Sequence, residues 1–208
     1  MRWFITSFCT IFSASCSILG IQGVEEPSYQ VIHESDNKEI RLYEPYIMAT
    51  TLVEGSYRDA QSRGFRILAS YIFGNNTAKE EISMTAPVKS EAQPEEISMT
   101  APVIQTASQN KWQVSFVMPK KYTKIQEMPE PLDKRVAFTK VPQRYAAVLG
   151  FTWWTSAERN QGLANQLIAW LKSKEYKPVL PFKVAGYDPP WTIPFLRRNE
   201  IIIDLDKN

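Results

Sequence analysis

Residues 46–74, YIMATTLVEGSYRDAQSRGFRILASYIFG, place a strand, a turn and a helix in one run and decide the kind of fold. Residues 46–53 follow Pro45 and are rich in apolar and β-branched side chains, the composition of a strand. Ser56 with Asp59 three places on is a helix-start signal, because short oxygen-bearing side chains satisfy the orphan amides of a first turn. Ala60, Gly64, Ile67, Leu68 and Tyr71 then recur at helical spacing, Phe65, Ala69 and Ile72 form a second face, and Gly74 predicts the stop.

Working outward, residues 29–34 and 38–43 read as strands around the turn Ser35, Asp36, Asn37, so the run opens as a β meander. The pattern returns downstream: a strand at 135–140, Pro142, a strand at 144–151, and a helix opened by Thr155 with Glu158 and striped by Leu163, Leu167 and Leu171. Strand-like segments follow each helix, at 82–88 and 111–118 after the first, and at 182–186 and 200–205 after the second. The chain therefore reads as two weakly duplicated halves. One half alone cannot bury both faces of its sheet, so the two are expected to share one mixed or barrel-like sheet with both helices outside, an α+β fold in a single domain over residues 24–208.

Composition limits the function classes. With 44% hydrophobic and 22% charged residues the 208-residue chain is of the folded globular kind, and 24 basic against 22 acidic residues give a net charge of +2, too balanced for electrostatic nucleic-acid binding. Met1 and Arg2 precede an uncharged apolar and small-residue run to Gly20, so residues 1–23 read as a secretory signal peptide, with a permanent membrane span as the alternative. Export to the periplasm or cell envelope is the expectation, without a transmembrane segment in the mature chain. Both cysteines, Cys9 and Cys16, lie in this leader, so a chain cleaved after it has no disulfide or thiolate site. Ser13 to Cys16 loosely suggests a lipid anchor on Cys16, although Ser13 stands where such signals usually carry leucine.

The nonapeptide EEISMTAPV occurs at residues 80–88 and again at 95–103. Its offset is too short for a solenoid unit repeated only twice, which leaves a local duplication forming a hairpin or long loop, or a doubled ligand site. No G-x-S-x-G elbow, H-E-x-x-H helix, P-loop or dinucleotide fingerprint is present, and a single histidine leaves little for a nucleophilic triad.

Five ordered segments carry a family resemblance: Ile40, Arg41, Leu42, Tyr43, Glu44, Pro45; GFRILASYIFGNN at 64–76; MTAPV at 84–88 and 99–103; FVMP at 116–119; and GYDPPWTIPFLRRNEIII at 186–203. Together they resemble the SOUL haem-binding proteins across nearly the whole chain after the leader. The resemblance implies two pseudo-symmetric halves of antiparallel strands plus helix, forming a distorted β-barrel with the helices packed outside, and non-catalytic binding of haem or a related tetrapyrrole, as carrier, buffer or sensor. A more distant likeness, to the effector-binding domains of bacterial drug-sensing regulators, supports a pocket but no particular ligand.

A porphyrin needs a broad apolar slot with basic groups at its mouth and, optionally, an axial ligand. Phe65, Leu68, Ala69 and Ile72 on the first helix can supply a wall and Arg63 and Arg66 its rim; the alternative is that the apolar residues are core and the arginines solvated. Arg197 and Arg198 can meet propionates, or belong to an internal ion pair that ties down the last strand. For iron, His33 is a weak candidate, because aligning the Tyr-x-Pro stretch puts Leu42 where some family members carry a histidine. Tyr43, Met84, Met99 and Met118 are ligands in principle only. The resemblance therefore implies weak, exchangeable haem held without a strong protein axial ligand.

Two alternatives stay open. Glu200 sits where drug-sensing relatives meet cationic ligands, so another apolar or cationic small molecule, or hydrolysis with Glu200 as general base, competes with the tetrapyrrole. Trp153 with Trp154, and Trp191 with Phe195, offer an aromatic surface to a macromolecule; adjacent tryptophans at a strand end point oppositely, so at most one of the first pair is expected in the core.

Overall fold

The computed structural model describes residues 24–77, 95–108, 111–189 and 191–206. In chain order these form β1 (Tyr29–Ser35), β2 (Lys38–Tyr43), β3 (Tyr46–Val53), α1 (Tyr57–Ile72), β4 (Asn76–Thr77), β5 (Val103–Ser108), β6 (Lys111–Val117), β7 (Glu130–Pro131), β8 (Ala137–Val141), β9 (Arg144–Phe151), α2 (Ala157–Ser173), β10 (Pro178–Gly186) and β11 (Asn199–Leu205). The two-residue strands β4 and β7 pair only with each other.

The other nine strands form one sheet in the order β1, β2, β9, β11, β10, β5, β6, β3, β8, with every pairing antiparallel. Each half supplies strand, strand, helix, strand, strand, yet the halves exchange their first members: β2 of the first pairs with β9 of the second, and β8 of the second with β3 of the first. The halves meet where β5 pairs with β10. Closure into a barrel is not observed, because β1 and β8 end the sheet as unpaired edges.

Alternation along the strands sorts side chains into three cores. Ile47, Ala49, Val114 and Phe116 face α1 with Leu68, Tyr71 and Ile72. Ile40, Ala147, Leu149, Ile201 and Ile203 face α2 with Leu167 and Leu171. Their neighbours on the opposite face, among them Tyr43, Met48, Val117, Val148 and Ile202, come from both halves and share a third cluster, so the open sheet curls without closing.

Both helices begin on a serine cap. Ser56 Oγ accepts from the Asp59 amide, as the sequence indicates, whereas α2 is capped by Ser156, whose oxygen accepts from Arg159, one residue later than the expected Thr155. Gly74 follows α1 at φ +105°, a conformation open to glycine. α1 lies so close to β6 that a Cβ on Gly64 would come within 2.5 Å of Val114 Cγ2. Of the repeated nonapeptide, the first copy and the strand expected at 82–88 lie outside the described residues, as does the leader. The second copy leads into β5, with Ile97 part of the first core and Ala101 buried.

Candidate functional site

On the curled face, the odd-numbered residues of β2 and the even-numbered residues of β11 point together. Arg41 and Glu200 are both almost fully buried, at 3% and 2% exposure. Arg41 Nη1 donates to Glu200 Oε2 and Nη2 to Oε1, each at 3.1 Å, the two-point geometry that suits guanidinium and carboxylate. Arg41 Nε reaches Glu39 at 2.6 Å, Arg198 Nη2 reaches Glu200 Oε1 at 3.0 Å, and Arg198 Nη1 reaches Glu26 at 2.9 Å. Charges thus alternate through Glu39, Arg41, Glu200, Arg198 and Glu26. Tyr187 donates to Glu200 Oε2 at 2.5 Å, and burial, followed by the Glu200 charge, pushes its phenol well above the ordinary range, so it stays a donor. Burial opposes the charge on Arg41, but the Glu39 hydrogen bond with the Tyr43 and Glu200 interactions outweighs it and leaves the guanidinium more firmly protonated.

A second cluster adjoins the first on the same face. Arg144 Nε donates to Asp204 Oδ1 at 2.8 Å, Lys183 pairs with the other Asp204 oxygen, and Arg144 lies 5.1 Å above the Tyr43 ring. Burial lowers the Lys183 pKa; it acts to raise that of Asp204, but Lys183 and Arg144 overcome it and hold the carboxyl below its ordinary range.

The described residues form several depressions, two of which bear on binding. One, of about 340 Å³, has Tyr46, Ile47, Val117, Met118 and Tyr122 as apolar lining, with Glu44, Lys120 and Lys140 among its polar groups. The other is a groove of about 410 Å³ beside α1, lined by Leu52, Val53, Ile67, Arg63, Arg66, Lys111, Arg135 and Glu54. Four cations face one carboxylate there. Arg63 donates to the Glu54 carbonyl, Lys111 pairs with Glu54 and Arg135 with Asp133.

A family model described as SOUL heme-binding protein matches residues 24–204. The chain belongs to the SOUL family. It is 30% identical over 195 residues to heme-binding protein 2 of Homo sapiens and 27% identical over 194 residues to that of Mus musculus, each alignment covering 90% of this chain and 88% of the relative. Among solved structures it resembles the EcmrR C-terminal domain (TM-score 0.57, 10% identity, 86% of this chain and 99% of that one) and a hydrolase from Listeria innocua (TM-score 0.50, 8% identity, 84% and 94%). At such identities the likeness speaks for the fold alone.

Within this SOUL fold the residues singled out from sequence separate. Leu68, Ala69 and Ile72 are buried in the first core, and Phe65 packs edge-on against Phe116 at 5.3 Å, so this face of α1 is turned to the sheet. Arg63 and Arg66 are exposed and line the groove. Arg198 lies in the internal ion network, while Arg197 sits 3.8 Å over the Trp154 ring and donates to the Thr192 carbonyl. His33 lies at the edge strand, stacked on Trp170 of α2 at 6.1 Å. Of the other nominal iron ligands, Tyr43 is buried and receives Arg41 Nη1, Met118 is buried, Met99 is exposed, and Met84 is outside the described residues. Trp153 and Trp154 are both about half exposed, so neither is core as one was allowed to be. Sequence reasoning missed Leu52, Val53, Ile67, Lys111 and Arg135 in the groove. Leu52 is exposed although Met48 and Thr50, on the same side of β3, are buried, so no periodicity in the sequence marks it.

Proposed function

We propose that this SOUL protein binds haem or a related tetrapyrrole without catalysis, in the groove beside α1. The observation that carries the reading is the combination of an apolar lining, Leu52, Val53 and Ile67, with Arg63, Arg66, Lys111 and Arg135 against the lone Glu54. A tetrapyrrole is a flat apolar ring bearing carboxylates, and such a lining offers it both contact and charge. The groove lining contains no histidine, cysteine, methionine or tyrosine, so the propionates, not the iron, are proposed to fix the ligand. Bound haem supplies redox and ligand-binding chemistry at its iron; the protein's share is to seat the ring and pair its carboxylates.

The ion network supports binding over hydrolysis or capture of a cation at Glu200. Both Glu200 oxygens already accept from Arg41, Arg198 or Tyr187, so internal donors occupy the positions that a substrate or a cationic guest would need. Export of the chain, suggested by the uncharged apolar run after Arg2, belongs to the same proposal. The test is a haemin titration of the wild type and of the Arg63→Glu, Arg66→Glu pair: a groove site loses most of its affinity on charge reversal while circular dichroism stays unchanged, and equal affinity rejects the site.

A further inference from the structure

Away from the groove, six large apolar side chains lie exposed on two loops at one end of the sheet. Trp153 and Trp154 follow β9, and Trp191, Ile193, Phe195 and Leu196 precede β11; Trp191 is 80% exposed. The loops are one surface, since the Trp153 amide donates to the Pro194 carbonyl at 2.8 Å and Asn199 Nδ2 to the Trp153 carbonyl at 2.9 Å. These bonds hold Trp153 at φ +76°, a left-handed conformation that bulky residues rarely adopt unless their surroundings impose it.

The loop backbone also serves itself. The amides of Thr192, Leu196 and Arg197 donate to the carbonyls of Pro189, Ile193 and Pro194, and Arg197 Nε covers the Thr192 carbonyl. Neither residues 150–157 nor 189–196 contain a charged side chain. Charges stand at the margin: Arg159 and Arg197, with Glu158 and Asp188, while the adjoining Arg198 is already held by Glu26 and Glu200. Arg197 lays its guanidinium 3.8 Å over Trp154, so a cation sits directly behind an exposed indole.

We propose that this surface docks the protein on a phospholipid bilayer, with the indoles and Phe195 entering the boundary between headgroups and acyl chains and Arg159 and Arg197 meeting phosphate oxygens. Tryptophan favours that boundary because it is large and apolar with one polar handle. Arginine stems reach from an apolar layer to charged headgroups. Backbone polar groups enter a poorly hydrated layer at lower cost when they are already bonded, as the amides of Trp153, Thr192, Leu196 and Arg197 are. Two marginal cations against two carboxylates leave apolar burial as the main attraction, so salt matters little.

Every sheet pairing and all three cores lie within residues 25–205, so the chain from Val24 to Asn208 carries the fold without the apolar leader, which would bind lipid on its own account. Co-sedimentation of that chain with vesicles of phosphatidylcholine, with and without phosphatidylglycerol, is compared with the Trp191→Ser, Phe195→Ser variant, whose substitutions fall on exposed side chains. The expected result is wild-type binding to both vesicle types, a tryptophan fluorescence blue shift, and at least about a tenfold loss in the variant from the apolar area removed, with haemin affinity unchanged. Absence of wild-type binding, or equal binding by the variant, overturns the proposal. So does a variant that loses haemin, which would make the patch a face for the planar ligand, or one that instead loses self-association in sedimentation, which would make it a contact between copies.

Discussion

Arg41 and Glu200, 159 positions apart in the chain, face one another on adjoining parts of the curled sheet with both guanidinium tips on both carboxylate oxygens at 3.1 Å. Removal of Glu200 leaves the buried Arg41 with Glu39 alone as its counter-charge, so Glu200→Ala is expected to cost up to about 3–5 kcal/mol in urea unfolding. The Arg41→Met, Glu200→Met double variant is expected to cost less than the two single changes added together, because no member of the pair is left behind. Strictly additive losses would show that the pair is not coupled.

Leu68 separates a ligand wall from a core. Its side chain is fully buried under α1, so Leu68→Ala should lower unfolding stability by about 2–5 kcal/mol and leave haemin affinity nearly unchanged. A large affinity loss with stability intact would return the wall to the buried face of the helix.

His33 stacks on Trp170 at the sheet edge and is no part of the groove lining. His33→Ala should therefore preserve the Soret change on haemin addition. Collapse of that change would identify His33 as an iron ligand.

Asp204 gives stability a pH dependence. Its folded pKa is held below the ordinary aspartate value by Lys183 and Arg144 against the opposing effect of burial, so in acid the unfolded chain binds the extra proton. The stabilisation is full above the ordinary aspartate pKa of about 3.9 and is lost as pH falls through the lower folded value. Denaturation midpoints measured across that acid range should fall less steeply in Asp204→Asn than in the wild type; identical slopes would remove Asp204 as a cause.

The strands at 38–43, 46–53 and 144–151 were legible to the residue because each alternates or is uniformly apolar between clear turn signals. β5 was not. Its Val-Ile-Gln-Thr-Ala-Ser sequence is half polar, and the buried Gln105 is accommodated by a long-range bond to the Tyr57 carbonyl. The Arg41 and Glu200 pair was equally hidden, since it depends on β2 joining the strands of the other half, and residue spacing carries no trace of that exchange. Two apolar faces on α1 could signify a wall and a core; a curled sheet buries both, which periodicity alone does not distinguish.

The most direct measurement is a paired titration of haemin and iron-free protoporphyrin into residues 24–208, for the wild type and the Arg63→Glu, Arg66→Glu variant, followed by visible absorption and tryptophan quenching. A groove that holds the ring and its carboxylates is expected to bind both ligands saturably at one per chain with similar affinity, and to lose at least about tenfold, or 1.4 kcal/mol, for both on charge reversal. No saturable binding of either ligand by the wild type, or affinity indifferent to both arginines, would contradict tetrapyrrole binding in this groove.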